Sequence, residues 1–296
     1  MLNLRFKTGI FINILVLFLC SDFLLRAACA YEVVRVDRSK IRLSIPPGQS
    51  QAGIINIENP NPEKQFVQMY LEDWHYSPAA DGTKEFVLAN STPLSCASWI
   101  NFSPAELTLP PFSRNQIHYT VRVPSEAKGG RYAVLFVENL LGSPEAKEET
   151  VSVGLAIRMA VLFYIEVAGT IERSGSIGNL RLELEPGDTL SVSTDFKNTG
   201  NVDITAGGTF NIIDRTGMVY ARGEFNDVYT FPGDEAVLQA SSSGEHLRPG
   251  RYDLIITLDL GKALEGTGLG RGAMLVKEAR LEIGENGQIL SWGKLR

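Results

Sequence analysis

Val151-Ser152-Val153-Gly154-Leu155-Ala156-Ile157-Arg158-Met159-Ala160-Val161-Leu162-Phe163-Tyr164-Ile165-Glu166-Val167 carries an apolar side chain at every odd position. Side chains of a strand point alternately to its two faces, so this spacing predicts one long ribbon with a continuous apolar face. Strands usually have five or six residues, whereas this run would reach about 56 Å at roughly 3.3 Å per residue. One sandwich does not cover such a length. The N-terminal portion, which follows an acidic stretch from Glu145 to Glu149, is therefore expected at a sheet edge. An apolar edge invites aggregation unless another polypeptide adds a strand to it. The even face holds Gly154, Ala156, Ala160 and Leu162, so a strand that bends and is buried on both sides fits the same residues.

Outward from this run, the chain alternates short apolar-patterned segments with turn residues. In the first half the pattern predicts strands at Glu32–Ile45, Gln51–Glu58, Phe66–Trp74, Glu85–Leu88, Glu106–Leu109, Gln116–Val123 and Tyr132–Glu138. In the second half it predicts Leu180–Leu184, Thr189–Lys197, Gly208–Ile213, Val219–Glu224, Ala236–Gln239, Arg251–Leu260 and Met274–Ile283. Pro46-Pro47-Gly48, Asp81-Gly82, Gly129-Gly130, Pro186-Gly187 and Pro249-Gly250 punctuate them, and such dipeptides close tight turns. No long helical period occurs, and Lys262–Leu264 allows one short turn. Many short strands at regular spacing indicate all-β sandwiches. The halves also repeat each other: Gly48 precedes Asn59, and Gly187 precedes Asn198, by the same interval, and Gly130-Arg131-Tyr132 is echoed by Gly250-Arg251-Tyr252. Asn tolerates a left-handed backbone, which is the expected reason for its place at each strand end.

The N-terminus reads as a signal peptide. Arg5 and Lys7 precede an apolar stretch from Ile10 to Cys20, and Ala28-Cys29-Ala30 offers small residues at a cleavage site after Ala30. The stretch is shorter than a bilayer span requires, so no stable membrane insertion is expected. The expected division is signal 1–30, an immunoglobulin-like domain 31–168, a second one 169–285 and a patternless tail 286–296. Removing residues 1–30, with three basic and one acidic side chain, takes the net charge from −6 to −8. An acidic chain does not attract nucleic acid. Cys20 and Cys29 leave with the signal, so Cys96 has no disulfide partner, and ordinary cores must hold both domains.

The segment Ile41-Arg42-Leu43-Ser44-Ile45-Pro46-Pro47-Gly48 resembles the start of periplasmic pilus-assembly chaperones of the PapD-like family, which show Arg, three β-favouring residues and Pro-x-Gly. Residues 130–167 follow the family's order. The resemblance implies two immunoglobulin-like domains in the periplasm that bind secreted pilin-like or other envelope subunits by β-strand addition. It implies partner contacts at Arg42, Val151, Val153, Leu155, Ile157 and Arg158. In the family an arginine and a lysine of the interdomain cleft hold the subunit's terminal carboxylate. Arg42 matches the arginine, whose fork suits a carboxylate, but residues 151–167 contain no lysine. A second stretch, Ala97-Ser98-Trp99-Ile100 through Gly129-Gly130, is similar to the N-terminal sandwich of cell-wall-associated surface proteins. It implies the alternative of a structural or adhesive envelope module that binds wall polymer or surface proteins.

Enzyme signatures are missing from the pattern. His75, His118 and His246 lack metal-ligand spacing, no Gly-x-Ser-x-Gly elbow occurs, and Arg271 stands where a third dinucleotide-fingerprint glycine is needed. No cofactor, metal or catalytic residue is expected.

Overall fold

The computed structural model describes residues 32–141, 155–185, 189–242, 247–264 and 272–296. The expectations for the signal segment and for Val151 and Val153 lie outside these residues. The first half contains β1 (Arg35–Val36), β2 (Lys40–Ile45), β3 (Ser50–Glu58), β4 (Gln65–Tyr76), β5 (Lys84–Leu88), β6 (Ile100–Ser103), β7 (Glu106–Leu109), β8 (Arg114–Arg122), β9 (Gly130–Leu141) and β10 (Leu155–Val167). The second contains β11 (Gly175–Glu185), β12 (Thr189–Asn198), β13 (Ile204–Ile213), β14 (Val219–Thr230), β15 (Glu235–Ser242), β16 (Gly250–Asp259), β17 (Met274–Ile283) and β18 (Ile289–Trp292).

The chain is all-β, with two immunoglobulin-like sandwiches. In the first, the sheet β1-β3-β8-β6 faces the sheet β2-β10-β9-β4-β5, with β7 added to β4. Ile55, Ile57, Ile117 and Val121 pack across the gap with Leu135, Val137, Phe163 and Ile165. In the second, β11-β12-β15 faces β14-β13-β16-β17-β18, and Val192, Phe196 and Leu238 meet Phe210, Leu254 and Ile256. The inward residues alternate with outward polar ones, as half-buried strands require.

Three differences from the sequence pattern have local causes. Glu32–Ile45 is not one strand: β1 pairs with β3 in one sheet, β2 pairs with β10 in the other, and Asp37–Ser39 crosses between them. The Asp37 carboxylate pins the crossing by accepting from the Asn56 backbone N–H (3.1 Å) and side-chain Nδ2 (2.8 Å). The hydrogen-bonded Arg38 guanidinium, aided by Asn56, holds Asp37 down at about 2. Ile100–Ser103 forms a short edge strand that the pattern does not announce. The tail contributes β18, which pairs along β17 and is fastened by Trp292 Nε1 donating to the Leu180 carbonyl at 3.1 Å.

The repeated asparagines have a different role from the one expected. Neither Asn59 nor Asn198 is among the residues with positive φ. Both are fully buried, and both are backbone pins. Asn59 Oδ1 accepts from the N–H of Asn61, and its Nδ2 donates to the carbonyls of Glu63, Leu109 and Pro110. Asn198 Oδ1 accepts from the N–H of Gly200, and its Nδ2 donates to Val202 and Thr230. The offsets of two and four residues are the same in both halves. The repeated tyrosines have diverged. The Tyr252 hydroxyl donates to the Arg248 carbonyl at 2.9 Å, the tyrosine corner of immunoglobulin-like sandwiches. Tyr132 instead spends its hydroxyl on Asp203 in the other sandwich. A buried carbonyl left unpaired costs about 1–3 kcal/mol. Asn59→Ala and Asn198→Ala are each expected to remove about 3 kcal/mol, read as a lowered urea midpoint at unchanged far-ultraviolet dichroism.

Candidate functional site

Strand β10 has different neighbours along its two edges. On one side β9 pairs with it from Leu155 to Glu166. On the other, β2 runs parallel to it only from Leu162 to Val167. The Leu162 N–H donates to the Ser39 carbonyl at 2.9 Å, which orients the even-numbered amides toward the β2 side. The main-chain groups of Ala156, Arg158 and Ala160 therefore line an edge that no strand occupies among the described residues. The odd face changes character at the same place. Val161, Phe163, Ile165 and Val167 are fully buried, Met159 and Ile157 are half-buried, and Leu155 is 58% exposed. The two readings of the sequence are thus divided between the halves of one strand: core from Val161 onward, open edge before it.

Arg158 projects from the open half onto the opposite face. Its Nη1 donates to the Tyr70 hydroxyl at 3.3 Å and lies 3.6 Å from Glu72 Oε1. The guanidinium stands 4.4 Å above the Phe136 ring, and Tyr70 in turn donates to Glu138 at 2.6 Å. A charge so placed on an edge strand discourages random pairing.

This face of the first sandwich closes against the second around Phe231. The Phe231 ring stacks on Tyr132 at 4.2 Å and lies 4.9 Å from Tyr76 and 5.1 Å from Trp74. Such aromatic pairs contribute about 0.5–1.5 kcal/mol each beyond area burial. Burial pushes the phenols of Tyr76, Tyr132 and Tyr164 well above their usual range. Beside the rings, Arg42 forks onto Asp203 at 2.6 and 3.1 Å and reaches Glu166 at 2.8 Å. Arg173 also meets Glu166 at 2.6 Å. Burial works against the Arg42 charge, but the two carboxylates more than offset it and raise its pKa. The hairpin loop at Asp81-Gly82 adds a third tie, since Tyr229 donates its N–H to the Ala80 carbonyl. A fourth runs from the Gly130 N–H to the Asn201 carbonyl at 2.8 Å.

Of the residues selected from sequence, Leu155, Ile157 and Arg158 stand along the open edge. Arg42 is only 4% exposed at its side chain, and both Nη groups are committed to Asp203 and Glu166. The pattern overlooked Lys40 and Lys84. Lys40 opens β2, where the free edge ends, and its ammonium lies 4.6 Å over the Tyr164 ring. Lys84 stands 5.6 Å over Tyr76 and 5.8 Å over Trp74. Burial, followed by the Arg42 charge, lowers the Lys40 pKa, and burial lowers that of Lys84. Neither has a carboxylate within ion-pairing distance among the described residues. The available signal was positional: Lys40 shares a strand face with Arg42, two residues away.

Among the described residues, no group of three or more His, Cys, Asp and Glu side chains is placed to hold a metal ion, and no helix is long and apolar enough to cross a membrane. Cys96 is fully buried, which pushes its thiol well above the usual range.

No protein-family model and no curated protein sequence matches this chain. Solved structures are similar to it. The class 5 fimbriae chaperone CfaA shares 14% identity at a TM-score of 0.47, over 83% of this chain and 98% of that one. A chaperone–tip adhesin complex of CFA/I fimbriae biogenesis shares 13% at 0.44, with the same coverages. The CsuC–CsuE chaperone–tip adhesion subunit pre-assembly complex of Acinetobacter baumannii shares 9% at 0.41, again over 83% and 98%.

Removing one member of a buried ion pair costs about 3–5 kcal/mol, because the partner charge stays buried. Arg42→Ala is expected to destabilise by that amount in chemical denaturation. Adding Asp203→Ala should restore part of the loss, since Glu166 keeps Arg173.

Proposed function

We propose that this chain is a periplasmic chaperone-like protein that binds pilus or envelope subunits by β-strand addition along Leu155–Val161. The observation that carries the reading is the edge of β10 that no strand occupies among the described residues, where the strand's apolar face also leaves its own core. A subunit strand laid there gains main-chain bonds to Ala156, Arg158 and Ala160 and covers Leu155 and Ile157. Each apolar side chain so buried contributes up to about 1.5–3 kcal/mol. The PapD-like order of the sequence supports the same reading, and Val151 and Val153 would extend the lent face.

The added strand would lie in line with β2. If it runs parallel to β10, its C-terminus arrives where β2 begins, beside Lys40 and Lys84. These two ammonium groups are the proposed carboxylate contact. Arg42, which the resemblance assigns to that task, is instead committed to Glu166 of the first sandwich and Asp203 of the second. A charge-assisted hydrogen bond contributes about 1.5–3 kcal/mol.

Two measurements test this. Tagged protein is used to capture subunits from envelope extract, and Leu155→Asp/Ile157→Asp is expected to reduce capture at least tenfold at unchanged melting temperature. Ile54→Asp, on the other sheet's outer face, should have no such effect. Retention of the partner by the double variant would refute strand addition. With a captured subunit in hand, Lys40→Gln/Lys84→Gln is expected to weaken binding of its C-terminal peptide about tenfold or more, and to leave binding of the C-terminally amidated peptide unchanged.

A further inference from the structure

The outer face of the sheet β1-β3-β8-β6 carries a second feature, remote from the β10 edge in its chemistry. A groove of about 670 Å3 lies across β3, β8 and β6. Cross-strand register places its side chains in rows: Ser50 beside Arg122, Thr120 beside Asn101, and His118 beside Ser103. All six are exposed. The half-buried Trp99 side chain lines the groove while packing against the core of the first sandwich, with the Arg131 guanidinium 6.0 Å from its ring.

The rest of this sheet face is satisfied internally. Gln116 donates to Asn56, Asn56 to Asp37, and Arg114 pairs with Glu58. In the groove none of the six polar side chains makes a hydrogen bond or ion pair with the protein among the described residues, and the Trp99 Nε1 donates to none. No carboxylate lines the groove, although the chain as a whole is acidic. Hydroxyls and an amide that both donate and accept, a free guanidinium and the exposed part of the Trp99 indole form the complement of a sugar chain: ring hydroxyls at the edges, an apolar C–H patch, and an acidic substituent. Other ligands fit less well. One fixed positive charge does not hold a nucleic-acid backbone. The groove offers no deep apolar pocket for peptide side chains. Strand addition at the adjoining edge is limited by the four residues of β6 and by Pro104, which has no N–H to donate.

We propose that this groove binds an acidic glycan, with a sugar carboxylate at Arg122 and neighbouring hydroxyls at Asn101, Thr120 and Ser103. The site would anchor the protein to a carboxylate-bearing envelope polysaccharide while the β10 edge remains free.

The probes are hexagalacturonate and the neutral cellohexaose, titrated calorimetrically into the protein. Saturable binding of hexagalacturonate is expected, with cellohexaose at least tenfold weaker. Arg122→Gln should weaken hexagalacturonate binding about tenfold or more, the loss of a charge-assisted contact, and Asn101→Ala should weaken it several-fold. Both positions are exposed, so the fold is retained. Arg114→Gln, on the same sheet face outside the groove, should leave binding unchanged. Leu155→Asp/Ile157→Asp should also leave it unchanged, which separates this site from strand addition. Absence of saturable hexagalacturonate binding, equal binding of both hexamers, or equal losses for the Arg122 and Arg114 variants would overturn the proposal.

Discussion

The crossing at Asp37–Ser39 is the constraint on which the candidate edge depends. Because the chain changes sheets there, β2 reaches β10 only at Leu162, and six residues of pairing end at a point fixed by Asp37 and Asn56. Had β2 begun earlier, β10 would be covered throughout and its first half would be an ordinary interior strand. Among the described residues, the crossing leaves main-chain donors and acceptors of β10 without a strand partner beside apolar side chains, the combination that strand addition uses. It also places Lys40 at the end of the free segment, so that the geometry of an added strand and the position of positive charge have one common cause.

The second condition is a fixed angle between the sandwiches. Single surface contacts would not provide it, since exposed ion pairs contribute little. Here the Arg42 fork is desolvated and shares its space with a box of aromatic rings around Phe231. The buried charges make the arrangement specific: each carboxylate is tolerable only in the one geometry that meets its guanidinium. The repeated Gly-Arg-Tyr segment takes part in this contact. Tyr252 shows what the repeated tyrosine does within one sandwich, and Tyr132 shows the same residue turned to join two.

The two outer faces of the first sandwich have separated in chemistry. The outer face of the β10 sheet around Trp74, Tyr76 and Tyr132 is aromatic and cationic and meets the second sandwich at Phe231. The opposite sheet is polar, with one section paired internally and another left with free donors and acceptors. The candidate strand-addition edge and the proposed glycan groove therefore lie on different sheets of the first sandwich.

Sequence by itself determined the sandwich class, the positions of most strands, the repeat and the ribbon from Leu155 to Val167, because each follows from an alternation of period two or from turn residues acting locally. It also selected Leu155, Ile157 and Arg158, since a strand longer than any core must emerge somewhere. Only the tertiary structure decided where the ribbon emerges, because that depends on a neighbouring strand more than a hundred residues away in the chain. It likewise decided that Asn59 and Asn198 are buried pins, that Arg42 is bound to Asp203, and that Lys40 and Lys84 stand over the rings of Tyr164, Tyr76 and Trp74. Each of these is a pairing between distant segments, and a linear pattern records the chemistry of a side chain but not the partner that folding brings to it.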